Sequence, residues 1–533
     1  MALHPLVWFL LITTLVGLFS WRKMSRPDKN ETAAAHFLGN RSFGFVMVGG
    51  LLFLTNVNGV QFVGENESVY LNNMSVMAWG ITSVPAMILV AEFFMPIYLR
   101  SRVVTTPDFL EQRYDASTKR TVSIIFLLSY LLNMLPSVLY GGAVVFNGLF
   151  HLSDITGLGN HAILWLIIWS VGIIGSFYTI IGGIRVVAVS DVLLGSCLFI
   201  AGLCVPFFGL KYLGGGSFSA GLSTVLSSKT EHLNAIGSAT DPVPFSTLFT
   251  GMLLVNLYYW GTEQYIVQRT LVSKNLAESQ KGLALAAVGK LISPLMLNIP
   301  GIIGVHLYAT LDNSAEVFPR LAAEVLPPAL TGLIAAVILG ATVTSFNAGL
   351  SSVSTLFVLN LYKPFKEKRG APLDDRSLIR IGKRFQLFAA LCAMLIAPFI
   401  AFADHGFYSW LQKVGGAFSV PIFTVLFIGF VTRRVPPIAA KIGLFFFVGA
   451  YLFTQLIWDT GLHFLHILAI LFVVTTALML LIGRLWPLET PWQQIDRSVV
   501  DIQPWRGRWL AYGLLLAATV GVYVVFSGWG LLR

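Results

Sequence analysis

The chain has 533 residues, of which 56% are hydrophobic and only 11% are charged, and its mean hydropathy is +0.76. A soluble globular domain carries about 25% charged residues, so this composition excludes a water-soluble enzyme and indicates a membrane protein. The net charge of +10 arises from basic loops between apolar stretches, and we therefore expect no nucleic-acid partner.

About 20 mostly apolar residues cross a bilayer as one helix. Stretches of this kind recur along the whole sequence and predict an all-α polytopic membrane protein with fourteen transmembrane helices. They are 5–21, 42–63, 76–98, 121–150, 161–181, 186–210, 244–267, 282–309, 329–361, 385–403, 407–431, 438–457, 464–483 and 509–529. The loops between them are short, so we expect a single transmembrane domain over 1–533.

The basic residues predict the orientation of these spans. When the N-terminus is placed outside, most Lys and Arg residues fall in loops on the inner side, and the loop 362–384 is the most charged of them. Loops rich in Lys and Arg stay on the inner side of a cell membrane. We therefore expect both termini on the outer side. The expected partners are the lipid bilayer and a small solute, and no obligatory protein partner is evident.

No sequence pattern points to catalysis or to nucleotide use. We find neither a G-x-x-x-x-G-K-[ST] phosphate-binding loop nor an H-E-x-x-H zinc motif. Cys197, Cys204 and Cys392 lie in apolar stretches without metal-ligand spacing. We interpret them as packing residues and expect no enzyme activity.

The second apolar stretch contains an unusual polar segment, FLTNVNGVQFVGEN, at residues 53–66. Asn56, Asn58 and Gln61 lie within one membrane thickness of the start of the stretch. Irregular backbone at this depth is tolerated only where it is buried in protein or lines a cavity. If 54–59 unwinds, its carbonyl groups can bind a hard cation and its amide side chains a polar solute. The alternative is that these amides bridge neighbouring helices.

Another apolar stretch is interrupted in a similar way, at NLYYWGTEQYIVQRT, residues 256–270. It lies about 200 residues and five spans after the first. A repeat of five spans is inverted relative to the copy before it, because five is odd. Broken helices in matching positions of two halves point to a transporter binding site near the membrane midplane. The two segments therefore predict a transporter with a central solute site.

Several longer stretches carry a resemblance to a known family. They are VVTTPDFLEQRYD (103–115), IGGIRVVAVSDVL (181–193), NLYYWGTEQYIVQRTLVSKNLAESQKG (256–282), ATVTSFNAGLSSVSTLFVLNLY (341–362) and YSWLQKVGG (408–416). Together they resemble the sodium/solute symporter family, and within it the bacterial sodium/galactose-type symporters. The resemblance covers nearly the whole chain.

The resemblance implies a LeuT-type fold, which is an inverted repeat of five plus five helices. One helix precedes the repeat and three follow it, in agreement with the fourteen predicted spans. We therefore expect 1–40 to hold the extra first helix, 41–431 the inverted-repeat core and 432–533 the three C-terminal helices. The resemblance also implies Na⁺ as the coupling ion.

Sodium is a hard cation that prefers oxygen ligands. Residues three and four apart share a helix face, so the Ala341 carbonyl can act together with the hydroxyl groups of Thr344 and Ser345. The carbonyls of Leu54 and Val57 in the broken helix complete a set that resembles the conserved sodium site of the family. The alternative for the hydroxyl groups is an ordinary hydrogen bond to the carbonyl four residues earlier.

Asp191 is a further candidate sodium ligand. A carboxylate inside a membrane segment is costly and marks function by default, and in the family the matching Asp lies near the inner sodium exit or an additional cation position. Asn347 stands where some two-sodium relatives carry a hydroxyl group. The number of sodium ions therefore stays open.

Sugar hydroxyl groups both donate and accept hydrogen bonds, so a sugar site needs amides, carboxylates and an aromatic platform. Resemblance to the galactose-type site implies several polar contacts and an inner stacking gate. The contacts are Asn56, Gln61, Ser83, Asn256, Lys290 and Gln412, and the gate is Tyr259. Trp79 and Tyr408 resemble outer-gate aromatic residues. The alternative for Lys290 is a structural ion pair.

One departure from the galactose-type pattern concerns a carboxylate. The third span of that pattern carries a Glu where this chain has Gly80, whereas Glu65 and Glu263 are additions. Glu263 lies two helical turns after Asn256 and is expected to contact the solute. The alternative for Glu263 is an ion pair with Arg269.

The sequence thus predicts a secondary transporter that couples inward Na⁺ movement to uptake of a galactose- or glucose-like sugar. The first alternative is another solute, such as a polyol, an amino acid, a nucleoside, sialic acid or another carboxylic acid. The remote alternative is a transporter-like solute sensor. Proton coupling through Glu263 or Asp191 is also conceivable, although the pair Thr344 and Ser345 favours sodium.

Overall fold

The computed structural model describes residues 3–22, 42–311, 313–370, 374–402, 407–497 and 500–531. In these ranges the chain is helical apart from loops and one isolated bridge between Phe43 and Ser273. Ten helical segments of the described chain are long and apolar enough to cross a membrane, and two bent pairs raise that number to twelve. The prediction of an all-α polytopic membrane protein is confirmed, and the count of fourteen spans stays a prediction.

The first half of the chain forms long spans and short connecting helices. In order they are α1 (Leu3–Arg22), α2 (Phe45–Asn56), α3 (Gly59–Leu71), α4 (Ala78–Ile81), α5 (Ser83–Leu89), α6 (Met95–Ser101), α7 (Thr106–Arg113), α8 (Ala116–Ser129), α9 (Leu135–Phe150), α10 (Leu152–Thr156), α11 (Asn160–Leu213) and α12 (Phe218–Ser227). π-Helical turns join α5 to α6 and α8 to α9, so Met74–Ser101 and Ala116–Phe150 are continuous spans.

The second half continues in the same manner. Its helices are α13 (Gly251–Gly261), α14 (Gln264–Thr270), α15 (Leu276–Leu297), α16 (Ile299–Leu307), α17 (Val317–Val325), α18 (Pro328–Thr355), α19 (Lys363–Lys368), α20 (Asp375–Ile396), α21 (Phe407–Val431), α22 (Pro437–Leu456), α23 (Phe464–Leu485) and α24 (Arg508–Val525). Short 3₁₀ turns lie at Met74–Met77, Thr230–Leu233, Phe245–Phe249, Ser314–Glu316 and Ala397–Phe402, and a π-helical turn lies at Leu356–Tyr362.

One helix, α11, covers the two stretches that we expected as separate spans, 161–181 and 186–210. The side chains of 178–196 lie outside the described residues. The side chain of Asp191 is among them, so its expected role as a sodium ligand stays a prediction.

The polar segment of the second span breaks its helix, as predicted. α2 ends at Asn56 and α3 begins at Gly59, and the two helices meet at an angle of 56°. Asn58 caps α3, because its side chain accepts a hydrogen bond from the Val60 N–H, while the Gln61 side chain accepts one from the Asn58 N–H. This reciprocal cap satisfies backbone donors that the break frees at membrane depth.

The second interrupted stretch is also broken. α13 ends at Gly261 and α14 begins at Gln264. The Thr262 and Glu263 N–H groups both donate to the Tyr258 carbonyl, and the Glu263 carboxylate accepts from the Gln264 N–H. A carboxylate at a helix N-terminus satisfies free donors and is stabilised by the helix dipole.

The break at Asn58 is held against α9 by close backbone contact. A Cβ atom added to Gly59 would lie 2.8 Å from the Gly142 nitrogen and 2.9 Å from the Gly141 carbonyl carbon. Real Cβ atoms do not approach backbone this closely, and a Cβ atom on Gly141 would likewise lie 2.8 Å from the Val60 nitrogen. The two helices therefore pack at this distance only because Gly59 and Gly141 are glycine. The packing fixes the start of α3 and hence the position of the break.

We expect Gly59→Ala to destabilise the protein by about 1–3 kcal/mol through overpacking, and to lower the thermal unfolding midpoint in detergent. Gly449→Ala in α22 is the matched control, because open space surrounds that glycine. Replacing a helical glycine by alanine without a clash stabilises by about 0.5–1 kcal/mol. Equal midpoints for the two variants would show that the close contact does not fix the break.

Candidate functional site

The two helix breaks face each other across a cavity of about 160 Å³. The Asn56 side-chain amide donates a hydrogen bond to the Tyr259 hydroxyl group at 2.9 Å, and the Tyr265 hydroxyl group donates to the same oxygen at 2.9 Å. These bonds tie the end of α2 to the end of α13. The two interrupted segments, which we predicted to form one solute site, therefore lie side by side at this cavity.

The cavity wall is contributed by the two broken helices, by the α8–α9 span and by α21. Its polar and aromatic lining residues are Asn56, Asn58, Gln61, Ser129, Asn133, Ser137, Tyr258, Tyr259, Glu263, Tyr265, Tyr408, Gln412 and Ser419. The remaining lining is aliphatic, apart from Gly415. Concave apolar surface with a few convergent polar groups is typical of small-molecule sites.

Several polar atoms in this wall are buried without a hydrogen-bond partner among the described residues. They are Asn56 Oδ1, Asn133 Oδ1, Ser137 Oγ and Ser419 Oγ. A buried polar atom left without a partner costs about 1–3 kcal/mol. Four such atoms around one cavity indicate that a polar solute completes their hydrogen bonds. Because amide oxygens only accept, the solute must bring donor groups.

Glu263 is held at the cavity by tyrosines. One carboxylate oxygen accepts a hydrogen bond from the Tyr130 hydroxyl group, and the other accepts from Tyr258 at 2.6 Å. Among the described residues these contacts, and not an ion pair with Arg269, satisfy the carboxylate. The side chain is 6% exposed and lines the cavity, so the carboxyl group faces the cavity and not a solvated interface.

The cavity includes some of the predicted solute contacts and omits others. Asn56, Gln61, Tyr259, Glu263 and Gln412 line it. The remaining three predicted contacts, which are Ser83, Asn256 and Lys290, are buried and do not line it.

Ser83 and Asn256 satisfy each other behind the cavity wall. The Ser83 hydroxyl group donates to the Asn256 side-chain oxygen at 2.7 Å, and the Asn256 amide donates to the Met252 carbonyl at 3.1 Å. The pair joins α5 to α13. In this conformation both residues therefore act as helix-bridging polar groups.

Lys290 on α15 lies near Glu65 on α3. Both side chains are buried, 3% and 2% exposed. Asn298, which separates α15 from α16, donates to the Glu65 carboxylate at 3.4 Å. The described residues show no salt bridge between the two side chains, so the alternative of a structural ion pair for Lys290 stays a prediction.

The predicted outer-gate aromatic residues lie together. The rings of Trp79 and Tyr408 meet edge to face with centroids 6.3 Å apart. Tyr408 also packs on Gly64 so closely that a Cβ atom added there would lie 2.6 Å from the tyrosine side chain. Tyr408 lines the cavity, and Trp79 packs against Tyr408 without lining the cavity itself.

Among the predicted sodium ligands on α18, Ser345 contacts the first helix break directly. Ser345 Oγ donates a hydrogen bond to the Thr55 carbonyl at 2.9 Å and accepts one from Asn58 Nδ2 at 3.0 Å. The Ser345 hydroxyl group therefore bonds to the broken helix and not to the carbonyl four residues earlier. Thr344 is buried beside it, and its carbonyl lies 3.5 Å from Arg269 Nη2.

The other expected sodium ligands are backbone carbonyls. Leu54, Val57 and Ala341 are completely buried, with Leu54 and Val57 flanking Thr55 and Asn56 at the end of α2. Asn347, about one turn beyond Thr344 on α18, has both side-chain amide atoms without a partner among the described residues.

Sequence reasoning missed one wall of the cavity. Ser129, Asn133 and Ser137 follow one another at intervals of four residues along the α8–α9 span and all line the cavity. This spacing places them on one helix face, so the polar stripe was visible in the sequence. Asn58 was noticed as polar, but its role as the cap that contacts Ser345 depends on the fold.

Comparison with known proteins places the chain among transporters. The family model described as Sodium:solute symporter family matches residues 36–446. The uncharacterized symporter YidK of Escherichia coli K12 is 39% identical over 525 residues, covering 98% of this chain and 91% of YidK. The sodium/glucose cotransporter of Vibrio parahaemolyticus is 27% identical, covering 82% of each chain. The human sodium/myo-inositol cotransporter 2 is 26% identical, covering 82% of this chain and 67% of that protein.

Two solved structures share the fold. One is the substrate-bound, outward-open state of a Na⁺-coupled sialic acid symporter, with a TM-score of 0.76, 19% identity and coverage of 92% of this chain and 99% of that chain. The other is Mhp1, a nucleobase-cation-symport-1 family transporter, with a TM-score of 0.54, 14% identity and coverage of 87% and 97%. At these identities the likeness establishes the fold alone.

Proposed function

Because the chain belongs to the sodium:solute symporter family, we propose that the solute it carries with Na⁺ is a sugar of the galactose or glucose type. Membership of this family makes the chain a Na⁺-coupled, membrane-embedded solute transporter and not an enzyme. The observation that carries the sugar proposal is the set of unpartnered acceptor atoms around the cavity between the two helix breaks. Sugar hydroxyl groups supply the donors that these atoms lack.

A cyclic polyol is the second candidate. It presents the same dense ring of hydroxyl groups as a hexose, and relatives of this chain are named sodium/myo-inositol cotransporters. The cavity chemistry supports both solutes equally, because both are uncharged and rich in donors.

We propose that Na⁺ binds where α18 meets the break between α2 and α3. Its ligands are the hydroxyl groups of Thr344 and Ser345 together with backbone carbonyls from Leu54, Val57 and Ala341. The contact of Ser345 with both sides of the break supports this placement, since these oxygens suit a hard cation. Asp191 is retained as a further ligand on the resemblance alone.

The proposed solute contacts fall into two groups. Those supported by the cavity are Asn56, Gln61, Glu263 and Gln412, with Tyr259 as the inner gate. The others, which are Ser83, Asn256 and Lys290, rest on the resemblance to galactose-type symporters. We propose Trp79 and Tyr408 as the outer gate.

The finer description of the fold is also a proposal. Fourteen helices comprise an extra first helix in 1–40, a LeuT-type inverted repeat in 41–431 and three C-terminal helices in 432–533. The concentration of basic residues in alternate loops supports both termini lying outside. The matching breaks at residues 57–58 and 262–263 support the inverted repeat.

In the proposed cycle, Na⁺ joins the broken helix to α18 and so holds the cavity in the form that binds sugar. Aromatic residues then close over the solute, and rocking of the two halves opens the inner side. The membrane potential supplies about 2.3 kcal/mol per charge for each 100 mV. Na⁺ and sugar therefore move inward together without a covalent intermediate.

Uptake of labelled galactose, glucose and myo-inositol into proteoliposomes tests this function. We expect an inward Na⁺ gradient to drive accumulation of at least one of them above equilibrium, while an equal K⁺ gradient does not. If no sugar or polyol is taken up while the tryptophan fluorescence of the protein still responds to Na⁺, the sugar assignment is contradicted and the proposed sodium site stands.

A further inference from the structure

A second cavity, of about 510 Å³, lies where the turn between α21 and α22 meets the end of α23. Its charged lining consists of three arginines, Arg433 and Arg434 on the turn and Arg484 in the last turn of α23. Among the described residues that line it, no Asp or Glu is present. The wall of this cavity therefore carries positive charge without a counter-charge.

The three guanidinium groups are free to bind a ligand. None of these side chains forms an ion pair or a hydrogen bond with another described residue. Each guanidinium group presents five N–H donors in a planar fork and accepts no hydrogen bond. This fork matches the oxygens of a phosphate group in pairs. The cavity thus offers a phosphate group both charge and directed donors.

Close packing holds two of these arginines side by side. A Cβ atom added to Gly483 would lie 2.8 Å from the Val435 side chain and 3.2 Å from the Val435 Cα atom. Arg484 follows Gly483 along the chain, and Arg434 precedes Val435. The contact between α23 and the turn therefore fixes the backbone from which both arginines project.

A fourth arginine supports the same turn from behind. Arg113 of α7 is 2% exposed and donates hydrogen bonds to the carbonyls of Gly429, Thr432 and Val435 at 3.1, 3.0 and 3.2 Å. It forms no salt bridge with a described carboxylate. Its charge is compensated by carbonyl dipoles at the end of α21 alone, and so it adds to the positive potential at the cavity.

The cavity lies at the border between apolar and polar surface. Leu480 lines it and is exposed, as are Val431 and Leu485, which end α21 and α23. Trp486 follows α23 and is also exposed, and tryptophan is enriched where lipid headgroups begin. A ligand of this cavity therefore meets guanidinium groups on one side and acyl chains on the other.

We propose that this cavity, the arginine groove, binds the phosphate headgroup of an anionic phospholipid whose acyl chains lie along the exposed ends of α21 and α23. Basic pockets between transmembrane helices bind such headgroups. A zwitterionic lipid brings its own cation next to the guanidinium groups and is therefore disfavoured. The inference goes beyond the proposed function, because it does not depend on the solute or on Na⁺.

The test measures binding of short-chain phosphatidylglycerol and phosphatidylcholine to the purified chain in uncharged detergent, by native mass spectrometry. We expect the wild type to bind phosphatidylglycerol at least about tenfold more tightly than phosphatidylcholine, and phosphatidylglycerol to raise its thermal unfolding midpoint. Each arginine near an anionic lipid contributes about fivefold in affinity. The triple variant Arg433→Gln/Arg434→Gln/Arg484→Gln should therefore bind phosphatidylglycerol about 100-fold more weakly.

The matched control removes three arginines from another surface. Arg376, Arg380 and Arg384 are exposed and follow one face of α20. Their combined replacement by glutamine changes the net charge equally, and we expect it to keep the wild-type affinity for phosphatidylglycerol. Soluble glycerol phosphate is the second control. It carries the phosphate group without acyl chains, so we expect it not to displace the lipid at equal concentration.

Each contrary result would overturn the inference. Equal binding of the two lipids by the wild type would do so without any variant. So would wild-type affinity for phosphatidylglycerol in the arginine-groove variant, or an equal loss in the α20 variant, which would assign the effect to general surface charge. If glycerol phosphate binds as tightly as the lipid, the groove holds soluble phosphate anions and not a lipid. The proposed transport of sugar with Na⁺ stands or falls separately, because neither takes part in this measurement.

Discussion

Replacing Thr344 and Ser345 together by alanine is expected to raise the Na⁺ concentration for half-maximal uptake at least about 100-fold. The change removes two hydroxyl oxygens from the proposed cation site. It also removes the bridge between the Thr55 carbonyl and Asn58 Nδ2. Hydrogen bonds to charged groups are each worth about 1.5–3 kcal/mol, and two ligands of comparable strength account for this loss. The measurement is the Na⁺ dependence of sugar uptake in proteoliposomes.

Thr355→Ala is the control for this double variant. Thr355 lies at the end of the same helix and is fully buried, and its hydroxyl group donates to the Ser351 carbonyl of its own helix. We expect this variant to keep the wild-type Na⁺ dependence. If the Thr344/Ser345 double variant reaches half-maximal uptake at the same Na⁺ concentration as the wild type, the coupling ion binds elsewhere.

Removing the cavity carboxylate is expected to have the second large effect. In Glu263→Ala the Tyr130 and Tyr258 hydroxyl groups and the Gln264 N–H lose their acceptor. Leaving a buried donor unsatisfied costs about 1–3 kcal/mol. The lost bonds also hold the break between α13 and α14, next to which Tyr259 contacts Asn56. We therefore expect kcat/KM for sugar uptake to fall at least about 100-fold.

Two variants show whether this effect is specific. Tyr258→Phe removes one of the donors and is expected to reduce kcat/KM by about tenfold or less. Glu324→Ala removes a carboxylate that also accepts from a tyrosine, Tyr308 at 2.7 Å, but on α17 away from the cavity. Uptake by Glu324→Ala should match the wild type. A loss of uptake as large as that of Glu263→Ala would mean that the assay reports folding and not the cavity.

The helix breaks were predictable because their causes are local. Asn58 is a good N-cap residue, and Gly59 permits close packing of the backbone. At membrane depth this pair of residues indicates a helix break that is buried in protein or lines a cavity. The same holds for the second break, where Glu263 caps α14. Apolar length likewise predicted the spans, because the bilayer fixes how many residues a helix needs.

The placement of individual solute contacts was harder to predict because it depends on helix rotation. Ser83 and Asn256 face each other and not the cavity, and only the packing of α5 against α13 decides this. Ser129, Asn133 and Ser137 were overlooked because their common position at the cavity also depends on the fold. Each residue by itself is an ordinary polar residue in a span, and only the position of the α8–α9 span opposite the breaks gives the set a common target.

The two added carboxylates are a third case. The sequence offered both Glu65 and Glu263 as carboxylates added to the galactose-type pattern, without distance information. Glu263 lines the cavity and is held there by tyrosines, whereas Glu65 is buried away from it and accepts a hydrogen bond from Asn298.

The central claim is that Na⁺ and sugar bind to one conformation through the two helix breaks. Titration calorimetry of the purified protein with the transported sugar, in NaCl and in KCl, tests it most directly. Linked sites are coupled by about 1–3 kcal/mol, and the effect is reciprocal. We expect sugar to bind at least about fivefold more tightly in NaCl, saturating sugar to raise the affinity for Na⁺ by the same factor, and Ser345→Ala to abolish both effects. Equal sugar affinity in the two salts would contradict the account.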